Sequence, residues 1–311
     1  MKVSNCVRAA AGAILALTGA CAWAGVTVTI VDRNTAVANI SLTDAASHTY
    51  DATVTITFDN SFHDAYNLTA DSLNLTAQLV NPASPPATLP LGIVVDPAFP
   101  VLVSVEPPHP PPDVIFTSGL EPGQPTDGSL AFFNTYYFEV HTHDLDCSSA
   151  TSPYRLFKAP HGSTVFADVT DDILSGSVRA RGRGGAFSQF LVVKDTRLPL
   201  LVGLTDALGK LTALTLRLTA SGIVGPLLTN LTALLANVLT DILTLNLTNA
   251  VADLDTFIAD VLAGAGTTIA NEWVAGGGLS NDAGDLVSLA ETLRFTLLSL
   301  QGSPLCQPPP P

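Results

Sequence analysis

The chain has 311 residues, and its 27 acidic side chains outnumber its 13 basic ones, which gives a formal net charge of −14. A protein this acidic repels the phosphates of nucleic acids and of anionic lipids, so we expect neither as a partner. Nearly half of the residues are hydrophobic and the mean hydropathy is positive, which favours a well-buried globular protein over a disordered one.

The N-terminal segment has the pattern of a signal peptide. Lys2 and Arg8 supply positive charge, residues 9–17 are apolar, and Ala-Trp-Ala at residues 22–24 is a small-x-small cleavage motif. We therefore expect residues 1–24 to be removed by cleavage after Ala24. The apolar run is too short to serve comfortably as a membrane anchor. The mature protein is accordingly expected in the periplasm or outside the cell.

The cysteines change in number once the signal peptide is removed. Cys6 and Cys21 are lost with it, and Cys147 and Cys306 remain. Two cysteines in an oxidising compartment most simply form one disulfide, although two free thiols are the alternative. A bridge that closes so long a loop stabilises the fold by about 5 kcal/mol in the chain-entropy model.

Residues 25–197 show the alternation that is typical of β-strands. Val26, Val28 and Ile30 alternate with threonines, and a period of two places successive side chains on opposite faces of a half-buried strand. Proline-rich stretches interrupt the strand-like runs and are predicted loops, at residues 82–90, 107–113 and 120–128. The many short strands without helices between them predict an antiparallel β-sandwich, with an immunoglobulin-like arrangement as the default.

After Arg197 the hydrophobic period becomes that of an α-helix. Leucines spaced three and four residues apart between Leu286 and Leu300 predict one helix, with an N-cap at residues 280–282. Further helices are predicted upstream, at residues 200–219, 226–245 and 251–261. The sequence therefore predicts a sandwich domain at residues 25–197, a small helical bundle at residues 198–301 and a proline-rich tail at residues 302–311.

One predicted helix needs a test against a membrane span. Residues 223–245 contain a single charge and are long enough to cross a bilayer. Asn230, Asn237 and Asp241 share one helical face, and such a polar stripe is costly in hydrocarbon. We interpret the segment as a central helix of the bundle with one edge in water, and we do not expect a membrane partner.

The strongest candidate for a metal site is the segment around two histidines. Glu139, His141 and His143 project to one face of a predicted strand, and this donor set suits zinc or copper. His161 or Asp168 on a neighbouring strand would complete the ligand set. The alternative is that these are ordinary polar residues on the solvent face of the strand.

Two other groups of charged residues have possible binding roles. Arg179, Arg181 and Arg183 share one face of a strand, where they bind an acidic ligand or pair with the protein's own carboxylates. Aspartates offer oxygen ligands for calcium at residues 144–146, 168–172 and 281–285, but they lack the spacing of a calcium-binding loop. Turn and capping roles account for these aspartates more simply.

No serine elbow and no cysteine–histidine arrangement for nucleophilic catalysis is evident, so the sequence favours a protein that is not an enzyme. The sequence thus predicts an exported binding or structural module of the envelope or the medium, with an unidentified protein or glycan partner and no cofactor. The alternative is a metal-binding protein or a metal-dependent enzyme centred on His141 and His143.

Four segments of the sandwich region carry a family resemblance. They lie at residues 154–160, 166–170, 175–182 and 187–193. The chain resembles a family of uncharacterised exported bacterial proteins in which a β-rich region precedes a Leu/Ala-rich helical tail. The resemblance implies export, the β-then-α order and a bacterial source, and it implies no activity.

Overall fold

The computed structural model describes residues 24–86, 88–109, 121, 124–147, 152–160, 163, 165–174, 176–197, 199–277, 280–302 and 306–307. Residues 1–23 of the predicted signal peptide and His161 lie outside the described residues, as does most of the predicted tail. Cys306 is described only as part of a strand, without its side chain.

The described elements are fifteen strands and five helices. The strands are β1 Ala24–Ile30, β2 Thr35–Thr43, β3 Thr49–Phe58, β4 Leu75–Leu79, β5 Ile93–Val95, β6 Val101–Val105, β7 Ala131–Phe133, β8 Tyr136–Cys147, β9 Tyr154–Ala159, β10 Ala167–Asp168, β11 Thr170–Leu174, β12 Gly176–Gly184, β13 Gln189–Asp195, β14 Glu272–Val274 and β15 Cys306–Gln307. The helices are α1 Ala70–Leu73, α2 Pro199–Ala220, α3 Gly225–Leu243, α4 Leu247–Gly264 and α5 Asp282–Leu300.

The strands form two large sheets and one small one. Sheet 1 has the order β1-β2-β3-β8-β12-β11-β15, and its neighbours are antiparallel except for β11 and β15. Sheet 2 has the order β10-β9-β13-β6-β4, with β5 also paired to β13. The third sheet pairs β7 with β14. Two strands from the C-terminal part of the chain, β14 and β15, therefore pair with strands of the N-terminal part.

A single hydrophobic core lies between the two large sheets. Phe138 of β8 and Phe190 of β13 stack across it with their ring centroids 3.8 Å apart, and both side chains are fully buried. The alternating buried positions of β2 and β3 face the same core. The predicted antiparallel β-rich region is confirmed, but an immunoglobulin-like arrangement is not, and sheets of seven and six strands exceed the strand count of that fold.

The helical region that the sequence predicts is confirmed, with boundaries within a few residues of those expected. Helices α2 to α5 share a second hydrophobic core of buried leucine, valine, alanine and phenylalanine side chains. The predicted N-cap of α5 is present, because the Asn281 side chain accepts a hydrogen bond from the Gly284 amide.

Helix α3 lies at the outside of this region rather than at its centre. It packs against α4 and α2 through Leu231, Leu235, Val238 and Ile242, while Leu243 is exposed. Of the helices described, α3 is the one whose length and hydropathy would permit a membrane span, and only 22% of its apolar window is buried. Helices of soluble proteins meet the same criterion, so this property is weak evidence for a membrane role.

Helix α5 takes the central position, because it packs against both the other helices and the sandwich. Leu293 and Leu297 belong to the helical core, whereas Phe295 belongs to the core of the sandwich. The first turn of α5 approaches the sandwich so closely that a Cβ on Gly284 would lie 2.0 Å from the Asn134 carbonyl oxygen. Only glycine fits at such a contact. Most residues of α5 are buried, as is typical of a helix in a protein core.

Charged side chains also connect α2 and α5 to the sandwich. The Lys210 ammonium lies 2.7 Å from the Asp168 carboxylate, and the Arg183 guanidinium lies between Asp171 at 3.0 Å and Glu291 at 3.4 Å. The Lys210–Asp168 pair is largely shielded from solvent, so removing either partner leaves an uncompensated buried charge, whereas Arg183 keeps one carboxylate when the other is neutralised. The interface between helices and sandwich is therefore specified by charge as well as by apolar contact.

The Asp171 carboxyl makes this interface sensitive to pH. Burial raises the pKa of Asp171 to about 6, a rise that Arg183 opposes and Glu291 increases. Because the pKa of Asp171 is raised in the folded protein, protonation of this carboxyl stabilises the fold. That stabilisation is complete below the ordinary carboxyl pKa and is lost as the pH rises through about 6. We expect Asp171→Asn to increase the free energy of unfolding by about 1–3 kcal/mol at pH 8 and to leave it unchanged at pH 4.

Urea denaturation at the two pH values measures the effect of Asp171→Asn. The same substitution at the exposed Asp146 is the matched control and should change neither value. A loss of stability at pH 8 in Asp171→Asn would contradict the account, because it would mean that the ionised carboxylate holds the interface together.

Candidate functional site

The predicted metal-binding segment lies on β8, with its side chains on the solvent face of sheet 1 as expected. Glu139, however, forms a hydrogen-bonded ion pair with Arg181 of β12 at 2.5 Å. The His141 Nε2 atom lies 2.7 Å from the Ser177 hydroxyl, and the rings of His141 and His143 are 4.8 Å apart. Within the described residues, no group of three or more His, Cys, Asp or Glu side chains could hold a metal ion.

Asp168, the described one of the two proposed further ligands, does not join the two histidines. Asp168 accepts hydrogen bonds from Lys210 and Thr170 at the helical interface. Burial raises the pKa of Asp168, but Lys210 and Arg155 leave it below its ordinary value, so the carboxylate is ionised and engaged. The pKa of His141 is lowered by burial and then by the nearby charges of Arg179 and His143, which favours the neutral imidazole.

The three arginines of β12 share one face of the strand, but they differ in their partners. Arg181 contacts Glu139 and also lies 3.6 Å from Asp172, and Arg183 is held by two carboxylates at the helical interface. Arg179 has neither an ion pair nor a hydrogen bond among the described residues. Pairing with the protein's own carboxylates thus accounts for two of the three.

A surface groove of about 480 Å³ is the better candidate for a ligand site. It lies between the turn that follows β1, the segment before α1, and Glu121 and Gln124 of the predicted proline-rich loop. Its lining residues are Ile30, Asp32, Arg33, Asp64, Ala65, Tyr66, Asn67, Leu68, Thr69, Glu121 and Gln124. We call it the Arg33 groove.

Asn67 holds the walls of the Arg33 groove together. Its Nδ2 atom donates to the Ser129 carbonyl oxygen at 2.8 Å, and its Oδ1 atom accepts from Gln124 Nε2 at 2.7 Å. The Gln124 Oε1 atom in turn accepts from the Glu121 amide at 3.1 Å. The backbone of Asn67 has φ of 56°, a left-handed conformation that Asn adopts more readily than most other residues. These contacts fix Gln124 and Ser129 against the segment before α1.

The charged groups of the Arg33 groove are accessible to a ligand. The Arg33 side chain is 72% exposed and its guanidinium lies 3.1 Å from Glu121 and 3.7 Å from Asp64. At the base of the groove the buried Tyr66 hydroxyl lies 2.9 Å from His63 Nε2, and burial followed by the charge of Glu121 raises the pKa of Tyr66. The groove therefore presents carboxylates, amides, a guanidinium and an aromatic side chain.

Two other hollows are present in the described part of the chain. One, of about 490 Å³, is lined by the proline-rich segment at residues 82–89 and by β5. The other, of about 390 Å³, lies between α3 and α4 and is lined by two aspartates and two asparagines, together with Thr240 and Ala252. The Arg33 groove and the hollow beside β5 thus lie next to loops that the sequence predicted from their prolines. The sequence did not identify Arg33, Asn67 or Tyr66 as site residues.

The architecture is a β-rich region of two large sheets with a docked helical region and a polar surface groove. The chain belongs to a family of unknown function, DUF6689, whose model matches residues 9–301. This confirms the resemblance to an uncharacterised family. Neither a curated protein nor a solved structure matches the chain.

Proposed function

We propose that this protein is an exported, non-catalytic binding module of the cell envelope or the medium, and that the Arg33 groove binds a glycan. The observation that carries the proposal is the convergence of three separate chain segments on one accessible groove with fixed polar walls. Loops positioned by a rigid scaffold are where binding residues concentrate in proteins.

The chemistry of the groove favours a ligand rich in hydroxyl groups. Asp32, Asp64 and Glu121 offer hydrogen-bond acceptors and Arg33 offers donors, so a sugar hydroxyl can both donate and accept there. Three carboxylates against one guanidinium give the groove a net negative charge, which disfavours an acidic ligand. Its volume of about 480 Å³ lies within the range of small-ligand sites and suits a small saccharide.

The fixed position of the groove walls supports binding rather than a purely structural role. Because Asn67 already contacts both Gln124 and the Ser129 backbone, a ligand need not order these two residues when it binds. A site that is ordered beforehand loses less conformational entropy on binding, so it holds a ligand more tightly for the same contacts.

Export is proposed from the sequence of the N-terminal segment. Strand β1 begins at Ala24, so cleavage after that residue would remove only one residue from the sandwich. The predicted disulfide is proposed for the mature protein. Cys147 is buried and pairs with Gly176, while Cys306 pairs with Ile173, so two positions separate the two pairing sites along the chain.

Export and the disulfide are tested together on protein recovered from the native host. We expect the mature N-terminus to be Gly25, since the cleavage motif ends at Ala24. Cys147 and Cys306 should resist alkylation in the denatured, unreduced protein and should both react after reduction. Intact Met1, or alkylation of both thiols without reductant, would contradict the proposal.

Glycan binding is tested with the mature protein on an array of bacterial and animal glycans. We expect Arg33→Ala with Glu121→Gln to weaken binding to any retained glycan by about tenfold or more, because two charge-assisted hydrogen bonds are lost. Both residues are exposed, so stability should change little. Arg294→Ala, which removes a cation from α5 away from the groove, is the matched control and should bind like the original protein.

Two results would contradict the groove as the glycan site. One is that no glycan on the array is retained by the mature protein. The other is that the groove variant and the Arg294→Ala control bind equally well.

A further inference from the structure

The solvent face of sheet 1 carries a second cluster of polar groups that the Arg33 groove does not use. The strand register places Arg179 of β12 directly opposite His141 of β8, and Thr53 of β3 lies opposite His141 on the other side. Ser177 belongs to the same cluster, because its hydroxyl lies 2.7 Å from His141 Nε2. His143 completes it with its ring 4.8 Å from that of His141.

Arg179 is the distinctive member of this cluster. Each of the other basic lysine and arginine side chains in the described part of the chain makes an ion pair or a hydrogen bond, and Arg179 makes neither. The protein has about two acidic side chains for every basic one, so a guanidinium without a carboxylate is unusual here. Its neighbour Arg181 shows that carboxylates are available on the same face.

The nearby carboxylates are directed elsewhere. Glu139 binds Arg181, and Asp144 accepts a hydrogen bond from the Asp51 amide. Asp146 is exposed and lies opposite Ser177, but it forms no ion pair with Arg179. Arg179 therefore retains the planar set of donors that binds a carboxylate in bidentate fashion.

We infer that Arg179, with Ser177, His141 and His143, forms a binding site for a single carboxylate group of an acidic saccharide. The guanidinium supplies two parallel N–H donors, and the hydroxyl and the imidazoles supply further hydrogen bonds beside it. This site is separate from the Arg33 groove proposed for a glycan, because it lies on the solvent face of sheet 1. It binds a negatively charged group, which the negative charge of the Arg33 groove disfavours.

The negative net charge of the protein favours binding of a carboxylate over binding of a ligand with several phosphates. A net charge of −14 repels multivalent anions at long range, and this repulsion grows with the charge of the ligand. A singly charged carboxylate meets the least repulsion and still gains the short-range bidentate contact. An anionic membrane surface is disfavoured for the same reason.

The test measures binding of acetate and D-glucuronate by NMR chemical shifts of the Arg179 side chain and the imidazoles, at fixed pH and ionic strength. We expect saturable shifts with both carboxylates, and an affinity for D-glucuronate that falls about tenfold or more in Arg179→Gln. Arg294→Gln removes the same charge from a distant helix and should bind D-glucuronate unchanged. Unaltered thermal unfolding of Arg179→Gln, which loses no contact, shows that the fold is intact.

Four results would overturn the inference. The first is the absence of saturable shifts with either carboxylate, and the second is equal binding by Arg179→Gln and the original protein. The third is tighter binding of inorganic phosphate, or of vesicles that contain phosphatidylglycerol, than of D-glucuronate. The fourth is stoichiometric zinc or copper that is lost in a His141→Ala/His143→Ala variant. Retained D-glucuronate binding in Glu121→Gln would separate this site from the Arg33 groove.

Discussion

The burial of α5 between the helical core and the sandwich is the contact on which the rest of the structure depends. Its Leu293 and Leu297 side chains complete the helical core, and Phe295 on the same helix belongs to the core of the sandwich. The helical region cannot release α5 without exposing its own apolar core. The sandwich cannot release it without breaking the Asn134–Asn281 contact, in which Asn281 Nδ2 donates to the Asn134 carbonyl oxygen at 2.6 Å.

This arrangement decides which surfaces remain for binding. Strands β11 and β12 of sheet 1 are contacted by α5. The described residues leave the Arg33 groove and the Arg179 side chain accessible to solvent, on a β-rich region that packs around its own hydrophobic core. The two proposed sites have opposite charge preferences, so we propose that they bind different ligands.

The fold could be predicted where a strand or helix has a clear hydrophobic period. Strand β1 alternates β-branched residues with threonine, and α5 repeats leucine at helical spacing, so both were predicted within a few residues. Strand β2 was missed because small Ala36 and Ala38 occupy its inner positions, and β11 was missed because it contains two adjacent aspartates. The pairing of β15 with β11 depends on contacts across more than a hundred residues, which no local pattern reveals.

The candidate sites were only partly predicted, because the sequence pattern shows on which face a residue lies but not which residues contact it. Alternation correctly placed Glu139, His141 and His143 on one face, but the partners that engage them, Arg181 and Ser177, come from another strand and follow from register alone. The Arg33 groove joins residues that are far apart in sequence, so only the proline-rich loop beside it could be anticipated. Periodicity reports the face of a residue, whereas tertiary structure determines its neighbours.

The claim that α5 unites the two regions is tested most directly by equilibrium denaturation of the mature protein with two probes. Trp273, which stacks on Phe132 in the sandwich and is the sole tryptophan once residues 1–24 are removed, reports on the sandwich by fluorescence. Far-ultraviolet circular dichroism reports on the helices. The account predicts coincident transitions at every denaturant concentration. Loss of the helical signal while Trp273 remains native would contradict it.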